Sequence, residues 1–281
     1  MTCCDFQTIT HGKWILAGEH AVLRGHPALV FPIIDKIFTL HYQASTAQLS
    51  LDCSGEHGNV IHPLFWSVFE HGMRLLSKPQ DTIQGHIQVQ SNIPIGVGLG
   101  ASAALCVAMS RWFASLNLLT DENVQPFAQE LEHLFHGQSS GVDVAGVAAK
   151  RGVYFQQGVA SAIRQAWEPK WRLSTCGDLG MTAPCVQAVQ AIRKTNAARA
   201  EAIDLQMRDS VLQARAALEA LSPSSFDHLA AAIDSAADCF QQWGLVTPPL
   251  ENHMQTLRDG GALAVKPTGS GGGGYVISLW P

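Results

Sequence analysis

Eight of the 25 glycines in this 281-residue chain fall into two runs whose spacing could do chemistry. The first is Pro94-Ile95-Gly96-Val97-Gly98-Leu99-Gly100-Ala101-Ser102-Ala103-Ala104; the second is Lys266-Pro267-Thr268-Gly269-Ser270-Gly271-Gly272-Gly273-Gly274. Glycine lets a phosphate approach the main chain closely, and a helix starting behind it supplies unpaired N–H groups and partial positive charge. The first run opens an Ala-rich stretch with helical spacing, which sets Ser102 in a first turn with its hydroxyl toward such an anion or its metal. Gly96, Gly98 and Ala101 also satisfy the dinucleotide pattern G-x-G-x-x-A, but the stretch before them reads as antiparallel strands and Asp121 reads as a helix cap. No Gly-Lys-Ser/Thr closes the run, so a Walker A loop is excluded. In the second run, four consecutive glycines cost conformational entropy, and the loop is expected to press on another backbone or a phosphate. His133-x-x-His136 could share a helical face, yet without a Cys or Asp at ligand spacing surface histidines are the better reading.

Composition narrows the partners. Hydrophobic residues make up 47% of the chain, enough for a sizeable core, and charged residues only 15%, against roughly 25% in an average soluble protein. The net charge of −5 offers no basic footprint for nucleic acid or an anionic membrane, while leaving room for a local pocket for a small phosphate compound. The N-terminus lacks a secretory pattern, and the longest apolar stretch, near Ala101–Met109, is far short of the ~20 residues that span a bilayer. Seven cysteines without a C-x-x-C pair suggest reduced thiols and a cytoplasmic location.

The elements that must hold these runs can be read from periodicity. Strands are expected at Ile9–Ala17, Ala28–Leu40, Leu49–Cys53 and Ile83–Gln90, with a helix at Pro63–Leu76. Helices follow at 101–116 and from the Thr120 cap to about His136; strands resume at Val153–Gln156, Ser161–Trp167 and Trp171–Cys176. The second half reads as helices over Pro184–Arg199, Ala200–Leu221, Ser225–Trp243 and Pro249–Asp259, then strands Ala262–Lys266 and Tyr275–Trp280 around the second run. Strands first, helices later and strands returning argue for an α+β fold with two lobes, 1–180 and 181–281.

Four blocks of the chain resemble the GHMP kinase superfamily, named for galactokinase, homoserine kinase, mevalonate kinase and phosphomevalonate kinase. Gly12-Lys13-Trp14-Ile15-Leu16-Ala17-Gly18-Glu19-His20-Ala21-Val22-Leu23 is similar to its first motif, the 94–104 run to its phosphate-binding second and 266–279 to its third. His136-Gly137-Gln138-Ser139-Ser140-Gly141-Val142-Asp143 resembles the H-G-x-P-S-G-x-D stretch of the mevalonate kinase branch. Ser139 replaces the usual proline, Val144 a frequent asparagine and Ala101 a common serine. The chain stops seven residues after Gly274, so a shortened C-terminal lobe is expected.

The resemblance implies an N-terminal lobe like ribosomal protein S5 domain 2, a ferredoxin-like C-terminal lobe, and ATP and its acceptor in the cleft between them. It implies that Pro94, Gly96, Gly98, Leu99, Gly100, Ala101, Ser102 and Ala103 wrap the ATP phosphates, and that Ser102 and Glu132 hold Mg²⁺. Glu130 points about 200° away around the same helix. By the same resemblance Asp143 is the general base for the C5 hydroxyl of mevalonate and Lys13 the cation beside it. The resemblance further implies four substrate residues: Glu19 and His20 facing the acceptor, and Thr268 and Gly269 closing the far side of the phosphate site. Without the resemblance, a solvated strand-end lysine stays open as a reading of Lys13, and a helix N-cap as a reading of Asp143. Another small-molecule kinase of the superfamily, a catalytically silent nucleotide-binding relative and a homodimer all stay open.

Overall fold

A computed structural model describes residues 5–136, 139–178 and 180–281. Gly137 and Gln138 of the fourth motif, and the side chain of His136, lie outside that description. The chain divides into two compact units that alternate along the sequence. One holds the chain up to Lys13, Pro32–Ile95 and Leu99–Lys150; the other holds Trp14–Phe31, Gly96–Gly98 and Arg151–Pro281.

In the first unit, strand β1 (Phe6–Ala17) runs beside the long strand β2 (Ala28–Gln48). The later part of β2 pairs antiparallel with β4 (Gln84–Ser91), Leu40 standing opposite Val89. Strand β3 (Ser50–Ser54) lies parallel to β4, with Leu51 opposite Ile87, and helix α1 (Gly58–Leu75) makes the crossover that parallel strands require. Helices α2 (Ala101–Ser115), α3 (Val124–His136) and α4 (Val142–Ala148) complete the unit. Residues Ala103–Ser110 of α2 are buried without interruption, as expected of a helix that is apolar all round. Phe65, Phe69, Trp112 and Phe113 form an aromatic core with neighbouring rings 5.5–6.4 Å apart.

In the second unit the first residues of β2, Ala28–Val30, pair with β5 (Val153–Gln156), which turns directly into β6 (Val159–Ala162). Gln157 and Gly158 between them both have positive φ, the requirement of a two-residue type I′ hairpin. That tight turn starts the pairing at Val159, and the strand expected at Ser161–Trp167 is therefore earlier and shorter. A second sheet has the antiparallel order β7 (Lys170–Thr175), β9 (Tyr275–Trp280), β8 (Ala264–Thr268). Helices α5 (Thr182–Thr195), α6 (Ala197–Glu219), α7 (Ser225–Gln242) and α8 (Pro248–Asp259) belong to this unit. Leu250 and Met254 of α8 and Ala237 of α7 close a core on Val265 and Val276 of the sheet. Every residue of β8 is buried, which draws Lys266 and Thr268 inside with it.

Two further departures from the sequence reading have local causes. Helix α1 begins five residues before the expected Pro63 and tolerates that proline inside at the loss of one ladder hydrogen bond. Helix α4, only seven residues long, is too short to leave a periodic signal.

Candidate active site

Lys13 and Asp143 meet in the first unit. Lys13 lies where β1 is fully buried, and its side chain is 2% exposed; its Nζ stands 2.6 Å from Asp143 Oδ1. Its main-chain N–H donates to the Leu99 carbonyl at 2.9 Å, tying the strand to the first glycine run. Asp143 is the second residue of α4, whose N-cap is Gly141 at φ 83°. The lysine is thus neither solvated nor terminal, and the aspartate is not a cap. Gly100 makes the space for the lysine stem: a Cβ there would sit 2.8 Å from Lys13 Cγ and 2.9 Å from Val147 Cγ1.

Glu132, on α3, is 1% exposed. Its Oε2 accepts the Ser139 hydroxyl, while Oε1 is buried with no hydrogen-bond partner among the described residues. Burial, and then the charge of Asp143, push its carboxyl up to about 8, against the opposing pull of the Ser139 hydroxyl and Lys13. Ser139 also accepts the Gly141 N–H at 3.1 Å, so the residue standing in place of the usual proline braces the turn that leads into α4. Ser102 occupies the first turn of α2, half-buried, with Ala101 before it and buried Ala103 behind.

The glycine runs approach each other in the second unit. Gly96 and Gly98 each have φ 79° and Gly100 φ 83°, a left-handed residue at every second position, the kind of alternation from which main-chain N–H groups build an anion-binding concavity. Gly96 and Gly98 are exposed, Pro94 and Val97 half-buried. A Cβ on Gly98 would lie 3.9 Å from Gly269 Cα, and one on Gly274 3.6 Å from the Val97 carbonyl. Gly271 packs on Phe240 and Leu245, and Gly272 on Cys185, closely enough that a Cβ at either would make a neighbour shift. The second run therefore presses on its own scaffold as well as on the first run.

Glu19, His20 and Thr268 surround that loop. Lys266, 0% exposed, holds Glu19 Oε1 at 2.5 Å and stands over the Phe240 ring, 5.1 Å from its centre. Thr268 Oγ1 donates to the Ile15 carbonyl and accepts the Ile15 N–H, both at 2.9 Å. His20 Nε2 reaches the Ser270 carbonyl at 2.9 Å. Burial brings the imidazole down to about 4, against that carbonyl's upward pull, so it is neutral near pH 7. Sequence reasoning notes Ser139 only as a departure from the motif and assigns no role to Lys266, Phe240 or the bidentate Arg24–Asp204 pair that anchors the turn after Glu19. A lysine directly after the apolar run Ala262–Val265 is the available signal for Lys266; the others depend on partners that their own stretch of sequence does not show.

The class of protein is set by domain and fold together. Residues 64–151 match the GHMP kinases N terminal domain. The fold is that of L. major mevalonate kinase in complex with R-mevalonate, with a TM-score of 0.80 at 24% identity over 98% of this chain and 86% of that one. It is equally that of Streptococcus pneumoniae phosphomevalonate kinase in complex with phosphomevalonate and AMPPNP, with a TM-score of 0.77 at 19% identity over 98% and 92%. The N-terminal domain and the fold are those of GHMP kinases. The chain is 28% identical to the mevalonate kinase of Aeropyrum pernix over 96% of this chain and 86% of that relative.

Proposed function

We propose that this chain transfers the γ-phosphoryl group of ATP to the C5 hydroxyl of mevalonate, giving 5-phosphomevalonate and ADP. Its relatives over nearly the whole length are mevalonate kinases, and the ion pair of the buried Lys13 with the partly exposed Asp143 is the observation that carries the chemistry. An alcohol gives up its proton reluctantly. In this proposal Asp143 takes it as the hydroxyl oxygen bonds to the γ-phosphorus and the bond to the β-phosphate oxygen breaks. The ammonium of Lys13, 2.6 Å from that carboxylate, makes the transfer less uphill and meets the developing negative charge.

Pro94 through Ala103 supply the phosphate cradle, chiefly through the amides around Gly96, Gly98 and Gly100. Ser102 and Glu132 are assigned to Mg²⁺. A buried carboxylate oxygen without a hydrogen-bond partner among the described residues is the donor a hard cation needs, and nucleotide phosphates and water would supply the other oxygens. When bound, the ion neutralises phosphate charge. Glu19, Thr268 and Gly269 belong to the acceptor side, and residues 1–180 and 181–281 to the two kinase lobes. None of the described helices is long and apolar enough to cross a membrane, and the described cysteines are free. A cytoplasmic location and a homodimer belong to the same proposal, the latter open to light scattering.

The test is to incubate the purified chain with ATP, Mg²⁺ and R-mevalonate and locate the new phosphate by phosphorus–proton correlation NMR. Phosphate on C5 is expected; phosphate on the tertiary hydroxyl, or none, would refute the assignment.

A further inference from the structure

His20 has an unusual backbone. Its φ of 57° and ψ of −48° form the middle of a γ-turn, which the Ala21 N–H closes on the Glu19 carbonyl at 2.6 Å. This hand of γ-turn is rare and strained, and a strained conformation persists only where its surroundings over-determine it. The surroundings are explicit. Gly18 donates its N–H to Met207 Sδ at 3.1 Å, Glu19 is held by Lys266, and Arg24 grips Asp204. The turn directs the imidazole onto Phe240 and Trp243, edge to face at 6.2 and 5.1 Å between ring centres. Its Nε2 then meets the Ser270 carbonyl. A carbonyl only accepts, so Nε2 carries the hydrogen.

Ser270 lies between Gly269 and Gly271, both left-handed. Gly269 is the glycine nearest Gly98 of the first run, and Gly271 lies on the same Phe240 ring that His20 abuts. A loop with five positive-φ glycines among residues 269–274 has little conformational preference of its own, and this hydrogen bond fixes it at its second residue.

We propose that His20 is a positioning residue for the nucleotide: through the Ser270 carbonyl it sets the 269–274 glycine loop in the shape that receives the ATP phosphates. The proposal rests on the kinase reading above and moves the point of action of His20 from the acceptor to the glycine loop.

Calorimetric titration with Mg²⁺ and the non-hydrolysable ATP analogue AMPPNP, in the absence of any acceptor, tests it. His20→Leu should weaken binding about three- to tenfold, the worth of one hydrogen bond. His20→Gln, whose amide nitrogen can reach the same carbonyl, should stay within about twofold of the parent, and the KM for mevalonate should hardly move in either. Should His20→Leu fail to fold, His20→Asn tolerates positive φ but is too short to reach Ser270, and the same loss is expected. Parental AMPPNP affinity in His20→Leu or His20→Asn would overturn the proposal, as would a Gln variant no better than Leu. A raised KM for mevalonate with unchanged AMPPNP affinity would return His20 to the acceptor. A parent chain that does not bind AMPPNP would overturn it too, whereas one that binds AMPPNP but leaves mevalonate unphosphorylated would sink only the acceptor assignment.

Discussion

Asp143 and Lys13 illustrate how little an isolated side chain says about its work. Each has an ordinary explanation as a letter in the sequence, and only the 2.6 Å pairing with the lysine buried removes both explanations at once. Asp143→Asn should lower kcat roughly 10²- to 10⁴-fold while AMPPNP affinity is kept, because a positioned base contributes that much to the chemical step and little to nucleotide binding. Steady-state rates and calorimetry on the same preparation check this; parental turnover in the variant would remove Asp143 from the role of base. For Glu132→Gln the expected change is in the dependence of rate on Mg²⁺, with half-saturation moved to higher concentration, since one charged ligand is lost. An unchanged Mg²⁺ curve would leave Glu132 without a metal role. Ser139 shows the limit of reading by motif. It departs from the branch pattern, and only the structure reveals that its hydroxyl serves Glu132, seven residues earlier.

At the scale of elements, glycines that look alike in the sequence do different things. Gly96 has open space where a Cβ would go, so Gly96→Ala should cost only the strain of a left-handed residue, about 1–2 kcal/mol. Gly100→Ala adds a collision with the Lys13 stem and Val147, and should cost about 2–4 kcal/mol and depress kcat by displacing the lysine. Urea unfolding of the two variants makes the comparison; equal losses would contradict the packing account. The fully buried strand β8 carries a second contrast. Lys266→Met takes the ammonium from beside the buried Glu19 carboxylate and should destabilise by about 3–5 kcal/mol, whereas Lys266→Met with Glu19→Leu should recover most of that loss. Most strands and helices were legible because they repeat every two or 3.6 residues. The ion pair was not, since its partners are 247 positions apart, and α4 was not because seven residues hold barely two turns.

For the molecule as a whole, the buried imidazole of His20 couples stability to acidity. Its pKa falls from 6.5 in the unfolded chain to about 4 in the fold, through burial first and then the Arg24 charge, opposed by the Ser270 carbonyl and Asp204. Between those values the unfolded chain binds more protons, so stability falls as pH is lowered from about 6.5 to 4, by about 3 kcal/mol for this group. His20→Gln should flatten that acid limb in thermal unfolding followed across pH, and an unaltered slope would assign the limb to other groups. The two-part organisation could be read from the order of strands and helices, but not the way the chain passes between the units. The structure leaves the first unit after Lys13, returns at Pro32, and draws β7, which precedes residue 180, into the sheet of β8 and β9. Such interleaving follows from long-range strand pairing, which no local window of sequence contains.

ADP release measured in parallel with mevalonate, phosphomevalonate, homoserine and galactose as acceptors tests the central assignment most directly. Turnover with mevalonate well above the others, abolished by Asp143→Asn, is the predicted result. Turnover confined to a sugar or homoserine, or AMPPNP binding without phosphoryl transfer to any of the four, would contradict it.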